Sequence, residues 1–224
     1  MNAGCITLEA IRARIAAAEG PAAPAATLLA VSKTQSASAI RALAACGQRR
    51  FGENYVQEAL AKQRELADLG LEWHLIGPLQ SNKCREVAQH FDWLESLDRV
   101  KLVALLDAAR PPARPPLNVL IQVNIDDEAS KSGCAPGQVA ELAGLVAQAP
   151  RLALRGLMAI PAPTADHARR ADAFRRMRAL FDVLRAQHPG IDTLSMGMSD
   201  DFELAIACGA TEVRVGSALF GPRA

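Results

Sequence analysis

Leu28-Leu29-Ala30-Val31-Ser32-Lys33-Thr34 is a short apolar run with one β-branched residue, and it ends on a lysine. A run of this length reads as a strand buried on both faces, the kind parallel sheets require. With a two-residue alternation Lys33 shares a face with Leu29 and Val31, where apolar walls raise the cost of its charge. An amine in that position, on a rigid strand end, suits Schiff-base chemistry. Lysine is scarce here: residues 33, 62, 83, 101 and 131 are the whole set, against twenty arginines. The plainer alternatives are a strand-terminal lysine reaching solvent, or one pairing with Glu53.

Around that stretch the chain reads as alternating short apolar runs and amphipathic segments. A helix over 7–19 places Leu8, Ile11, Ile15 and Ala18 on one stripe, and Gly20-Pro21 stops it. Strands are expected at 27–33, 49–52, 72–76, 91–96, 117–125, 152–160, 191–196 and 211–215. Helices are expected at 36–46, 55–69, 81–90, 98–109, 136–148, 165–187 and 199–207. Gly47 stands as the glycine after the first of these helices, and Ser199 reads as the N-cap of the last. Leu117–Ile125 is the least ambiguous strand; 49–52 and 91–96 are the shortest. Strict alternation implies parallel strands, and eight such units imply one closed (β/α)8 barrel spanning 1–224, with an extra N-terminal helix. A doubly wound open sheet is the competing α/β architecture.

Composition narrows the function classes. Half the residues are hydrophobic, the net charge is +1 and the pI about 7.7, so nothing points to nucleic acid or an anionic membrane. No apolar run reaches membrane-spanning length. Glu9, Arg12 and Arg14 interrupt the N-terminus, unlike a signal peptide. Five scattered cysteines (5, 46, 84, 134, 208), odd in number and without a Cys-x-x-Cys pair, suit reduced thiols better than a disulfide frame or a zinc site. The expectation is a soluble, cytoplasmic protein without a bound metal.

In such a barrel the chemistry gathers at the C-terminal ends of the strands. Those ends carry Lys33; Glu53 and Asn54; His74 with Gly77; Gln122 and Asn124; Met158; Ser195 with Gly197; and Arg214 with Gly216 and Ser217. Glycines let backbone N–H groups approach an anion, and serine hydroxyls add donors. The pattern suggests a phosphorylated ligand whose carbonyl faces Lys33. Each residue also has a bland role: Ser195 a satisfied buried hydroxyl, His74 a core histidine, Asn54 a helix cap. Arg214 is harder to set aside, because a buried guanidinium needs a partner.

Several stretches carry a family resemblance. They are Leu28–Thr34, Phe51-Gly-Glu-Asn-Tyr-Val-Gln-Glu58, Trp73-His-Leu-Ile-Gly-Pro-Leu-Gln-Ser-Asn-Lys83 and Ser130-Lys-Ser-Gly133. Arg155-Gly-Leu-Met158, Leu194-Ser-Met-Gly-Met-Ser-Asp-Asp201 and Val213-Arg-Val-Gly-Ser-Ala-Leu-Phe-Gly221 complete the set. From about residue 8 onward the chain resembles the pyridoxal phosphate homeostasis protein family. The resemblance implies the barrel of the alanine racemase N-terminal domain, a monomer, and pyridoxal 5′-phosphate as cofactor, with apo-enzymes that need it as candidate recipients. It implies Lys33 as the Schiff-base residue, Ser195 with Gly216 and Ser217 around the phosphate, Arg214 facing the pyridine nitrogen, and Asn54 and His74 lining the pocket. It also implies a carrier and buffer in vitamin B6 homeostasis rather than an enzyme.

One departure stands out: family members often continue the lysine motif as Lys-Thr-Lys-Pro, whereas here Gln35-Ser36 follows Thr34. Lys83 and Lys131 remain as secondary acceptors or as ordinary surface lysines. The competing functions are a pyridoxal phosphate-dependent amino-acid racemase and a class I aldolase-like enzyme. Arg214 weighs against the second, since a sugar phosphate presents no ring nitrogen. Against the first, racemisation needs a base on each face, and the sole tyrosine, Tyr55, falls at the start of a barrel helix.

Overall fold

In the computed structural model, which describes residues 3–20, 25–128 and 131–221, the short apolar runs become eight parallel strands closed into a barrel in chain order. The expected turn at Pro21 and Ser130 of the Ser-Lys-Ser-Gly stretch lie outside the described residues. After helix α1 (Ala3–Ala18) come β1 (Thr27–Val31), α2 (Ala37–Ala45), β2 (Arg50–Glu53), α3 (Val56–Glu65), β3 (Glu72–Leu75) and α4 (Cys84–His90). The middle of the chain supplies β4 (Trp93–Leu97), α5 (Val100–Ala109), β5 (Leu117–Val123), α6 (Val139–Ala147) and β6 (Leu152–Ala159). The last part adds α7 (His167–Gln187), β7 (Thr193–Ser195), α8 (Phe202–Ala207), β8 (Glu212–Val215) and a short α9 (Ser217–Phe220). The open-sheet alternative is set aside by the pairing of β1 with β8, Leu29 opposite Arg214.

The local signals explain most boundaries. Ser36 caps α2, its Oγ accepting from Ala39 N, and Gly47 ends that helix at φ +87°. Asp166 caps α7 by accepting from Ala168 N and Arg169 N. Ser199 does not cap α8, which starts three residues later behind Asp201. Two apolar regions result. The larger lies between the strands and the helical ring; the smaller, around Trp93, Leu120 and Met158, fills part of the barrel axis. The remainder of that axis is polar: His74, Glu95, Ser195, Glu212 and Arg214 are all buried. No described helix is long and apolar enough to cross a membrane.

Helix α1 buries Leu8, Ile11 and Ile15 and lies against α2, α8 and α9. Arg14 pairs with Glu203 of α8 and covers the ring of Phe202 at 4.6 Å. This helix also corrects the expectation of reduced thiols. Cys5 is disulfide-bonded to Cys46 at the end of α2, with Cα atoms 5.3 Å apart. The partners are 41 residues apart, so their meeting depends on how α1 docks, which neither spacing nor an odd count reveals. Closing a loop of that length removes chain entropy worth up to about 4 kcal/mol. Reduction is therefore expected to lower the denaturation midpoint, and Cys5→Ser/Cys46→Ser to be insensitive to reductant. An equal response in both proteins would rule the tether out as the cause.

Candidate functional site

Ser32 and Lys33, adjacent in sequence, face opposite ways. Ser32 is buried toward α3: its hydroxyl donates to Glu53 Oε1 (2.6 Å), and its carbonyl accepts from Lys62 Nζ (2.7 Å). Lys62 also pairs with Glu53 (2.8 Å) and Glu58 (2.7 Å), and Glu58 accepts from Thr34 N (2.6 Å). Thr34 takes a left-handed φ of 66° to make this turn. Burial pushes the Glu53 carboxyl up, opposed by its hydrogen bonds from Lys62 and Ser32. The residue flanked by these anchors, Lys33, is turned into the barrel mouth. Glu53 is thus the partner of Lys62.

Lys33 lines a cleft of about 220 Å³ with Val31, Asn54, Ile76, Ser199, Arg214, Gly216 and Ser217. Ile160, Met198 and Asp200 complete this wall and, with Arg214, also line a neighbouring chamber of about 170 Å³ that reaches Lys131 and Arg170. Polar groups converging in a concave site over the strand ends are the general form of a small-ligand pocket. A larger cavity, about 430 Å³ at the other end of β1, holds Arg12, Glu19 and Gln48; Arg12 and Glu19 there bond the protein's own groups at Gly47, Gln48 and Ala26.

At the far wall of the cleft, Ser199 Oγ accepts from Gly216 N (3.3 Å) and Ala218 N (3.4 Å). A Cβ on Gly216 would sit 3.2 Å from the carbonyl oxygen of Val31, so glycine keeps β8 close to β1 there. Gly77 does the same for Asn54, whose carbonyl oxygen would lie 2.2 Å from an added Cβ. Asn54, Arg214, Gly216 and Ser217 thus meet Lys33 as the sequence suggested, but Ser195 and His74 do not. Ser195 lies opposite Glu212, the first residue of β8, and so sits below the cleft. Its place at the wall is taken by Ser199, which had read as a cap. His74 pairs in register with Gly52 and Trp93, beneath Asn54, and stacks on Trp93 at 5.1 Å.

These two residues belong to a buried cluster. His74 Nε2 meets Glu72 Oε1 (2.9 Å) and Nδ1 meets Glu95 Oε1 (2.7 Å). Ser195 Oγ donates to Glu95 Oε2 (2.7 Å) and accepts from Arg214 Nη1 (2.7 Å), while Arg214 Nη2 donates to the Ala159 carbonyl (2.8 Å). A ring facing carboxylates through both nitrogens can satisfy them only as imidazolium. Burial works against that charge, but the bonds to Glu72 and Glu95 and the nearby Glu212 carboxyl hold the His74 pKa at about 9. Burial and the Glu95 charge push Glu212 to about 8. His74, Glu95 and Glu212 bring ligand-type atoms within 4.8 Å of one another, yet a metal ion there would have to displace a carboxylate from His74. Sequence reading missed Glu95 and Glu212. The available signal was Arg214 itself: a buried guanidinium calls for acids at inward-facing strand positions.

The two raised values fix a pH trend. Unfolded, a histidine titrates near 6.5 and a glutamate near 4.5. The native chain therefore holds a proton on Glu212 from 4.5 up to about 8, and on His74 from 6.5 up to about 9, that the unfolded chain has released. Stability must fall as pH rises through both windows. The His74 contribution is full below 6.5 and gone above about 9. Melting temperature is expected to drop between about pH 6 and pH 9.5, with the upper part flattened in His74→Gln. A flat or rising profile would contradict the charge assignment.

Comparison with known proteins shows the family and the fold. The family model described as "Alanine racemase, N-terminal domain" matches residues 6–224. The Pyridoxal phosphate homeostasis protein of Pseudomonas aeruginosa is 60% identical over 196 residues, covering 88% of this chain and 84% of that protein. Its counterpart from Escherichia coli is 57% identical over 200 residues, covering 88% and 86%. Among solved structures, PipY of Synechococcus elongatus with PLP bound aligns over 97% of this chain and 100% of its own, at 41% identity and a TM-score of 0.83. Alanine racemase from Corynebacterium glutamicum shares the fold at 20% identity and a TM-score of 0.68, over 98% of this chain and 60% of that one.

Proposed function

The chain belongs to the pyridoxal phosphate homeostasis protein family, and from that premise we propose that its barrel-mouth cleft binds pyridoxal 5′-phosphate. The role is that of an intracellular vitamin B6 carrier and buffer. The observation that carries this reading is the convergence in one cleft of an amine (Lys33), a guanidinium (Arg214) and a Ser199–Gly216–Ser217 wall of hydroxyls and backbone N–H groups. That donor set fits a phosphorylated aldehyde, because the N–H groups now capped by Ser199 Oγ can serve an anion instead. When bound, the cofactor supplies an aldehyde that condenses with an amine and releases water, and a ring that draws electrons.

Each residue then has a task. Lys33 provides the amine. Ser199, Gly216 and Ser217 hold the phosphate, Asn54 borders the Lys33 side, and Arg214 faces the ring nitrogen. A guanidinium there disfavours ring protonation and so weakens the ring as an electron sink. Ser195 and His74 act on Arg214 from beneath. The chain serves as one binding domain, a cytoplasmic monomer whose recipients are apo-enzymes requiring the cofactor.

Two measurements test this reading. Ser199→Ala is expected to weaken pyridoxal phosphate by about 1–3 kcal/mol and to leave unphosphorylated pyridoxal almost unchanged. Equal losses would move the phosphate elsewhere. Racemisation needs a base on each face of Cα, and Tyr55 stands 64% exposed, absent from the cleft lining. Holo-protein incubated with single-enantiomer alanine is therefore expected to leave the enantiomeric ratio unchanged. Sustained turnover that vanishes in Lys33→Ala would promote the enzyme.

A further inference from the structure

The buried polar residues form an unbroken file along the barrel. Glu72, half-buried, lines a cavity at the N-terminal end of the strands with Asp92, Trp93 and Asn118. From it the contacts run to His74 (2.9 Å), Glu95 (2.7 Å), Ser195 (2.7 Å) and Arg214 (2.7 Å), and Arg214 lines the cleft at the C-terminal end. Five side chains from β3, β4, β7 and β8 thus connect two openings of one barrel. Burying so many ionisable groups is costly unless every one is paired. Leucine or valine would fill the same space without that cost, as Leu120 and Met158 do beside it.

We propose that Glu95 is a positioning residue: without touching the cleft, it fixes the guanidinium of Arg214 through Ser195 and sets the proton affinity of the cofactor held there. This rests on the cofactor reading above. Glu95 is the one carboxylate that engages both halves of the file. One oxygen takes the imidazole N–H of His74, and the other takes the Ser195 hydroxyl whose lone pair receives Arg214. With its proton donated to Glu95, Ser195 presents a lone pair to Arg214. An ionised Glu95 therefore orients the serine, and the serine orients the arginine. His74, kept as imidazolium by Glu72 on its other side, keeps Glu95 ionised.

The other charges around the file define what a change there would do. Arg214 feels Glu95 and, from its own strand, Glu212, with Asp201 behind the rim and Lys33 and Asp200 across the cleft. His74 feels Glu72, Glu95 and Glu212. Arg50 pairs with Glu72, and Arg155 lies over the Trp93 ring on which His74 stacks. Glu212, beside the file, has an oxygen, Oε1, that finds no hydrogen-bond partner. Replacing Glu95 by glutamine removes the one fully engaged anion between two cations. The potential at the cleft becomes more positive, and a protonated nitrogen there becomes harder to keep.

The test is the pH midpoint of the visible absorption of holo-protein, which a residue that only packs the core does not move. Glu95→Gln is expected to lower that midpoint by about one pH unit or more relative to wild type, and Glu95→Asp, which keeps the charge, to return it most of the way. Ser195→Ala cuts the file without altering its charges and is expected to shift the midpoint as well; it decides the question if Glu95→Gln does not fold. An unmoved midpoint in the folded variants, with pyridoxyl still fixed on Lys33 by borohydride, overturns the positioning role alone. Wild type without that adduct overturns the cofactor reading and this inference with it.

Discussion

Lys33→Ala is expected to abolish covalent capture of pyridoxal phosphate: no visible absorption on mixing, and no pyridoxyl mass fixed by borohydride. What remains is binding through the phosphate wall and Arg214, weaker by roughly a hundredfold or more, about 2.7 kcal/mol. The effect should be this large because Lys33 is the lysine that lines this cleft, and Lys62, Lys131 and Lys83 have partners elsewhere. Lys62 is buried and shared among Glu53, Glu58 and the Ser32 carbonyl. Lys131 donates to the carbonyls of Ile160 (3.4 Å) and Pro161 (2.8 Å) and pairs with Glu128, and Lys83 pairs with Glu86. Peptide mapping of the reduced wild type should therefore place the label on the Lys33 peptide. A label mainly on Lys131 or Lys83 would overturn the assignment.

Gly156→Ala is expected to prevent stable folding, at a cost above about 5 kcal/mol. Gly156 is the glycine of the Arg-Gly-Leu-Met stretch and lies opposite Thr193 in the β6–β7 ladder. Its φ of +149° is one L side chains rarely adopt, and an added Cβ would stand 1.8 Å from the Thr193 carbonyl oxygen and 3.2 Å from the Phe181 ring. Backbone cannot yield as a flexible side chain would, so the two strands must part, and a parted seam leaves two unpaired edges. Gly190→Ala is the control: its Cβ would come no nearer than 3.8 Å to any atom beyond its chain neighbours, and its φ is not in the left-handed region. Denaturant titration of the two variants should show one near wild type and one unfolded or insoluble. Equal midpoints would mean that the seam adjusts in a way the geometry does not allow.

How far the sequence could be read depended on which coordinate a residue's role needed. Position along a strand is visible in the alternation of apolar and polar residues, so the barrel, Lys33 and the glycine-serine end of β8 were legible. Depth within the barrel is set by the stagger between neighbouring strands. Ser195 ends its strand but lies level with Glu212, the start of β8, and His74 lies level with Gly52 rather than Asn54. Both therefore fall beneath the cleft, although each looked like a rim residue. Ser199 was misjudged for the opposite reason, since a serine before two aspartates resembles a helix cap. Glu95 reads as an ordinary polar residue in a strand until its neighbours are known. Cys5 and Cys46 carry no local pattern at all.

The seam between the first strand and the last has a consequence for biosynthesis. Leu29 pairs with Arg214, so the lysine and the arginine of one cleft stand 181 residues apart in the chain. At about 5–20 residues per second, a ribosome that has made Lys33 needs roughly 10–40 s more to reach Ser217. Throughout that time the nascent chain has its amine but neither the guanidinium nor the anion wall, and β1 lacks one of its two neighbours. Capture of the cofactor by the whole cleft therefore waits until β8 has been made and has closed against β1.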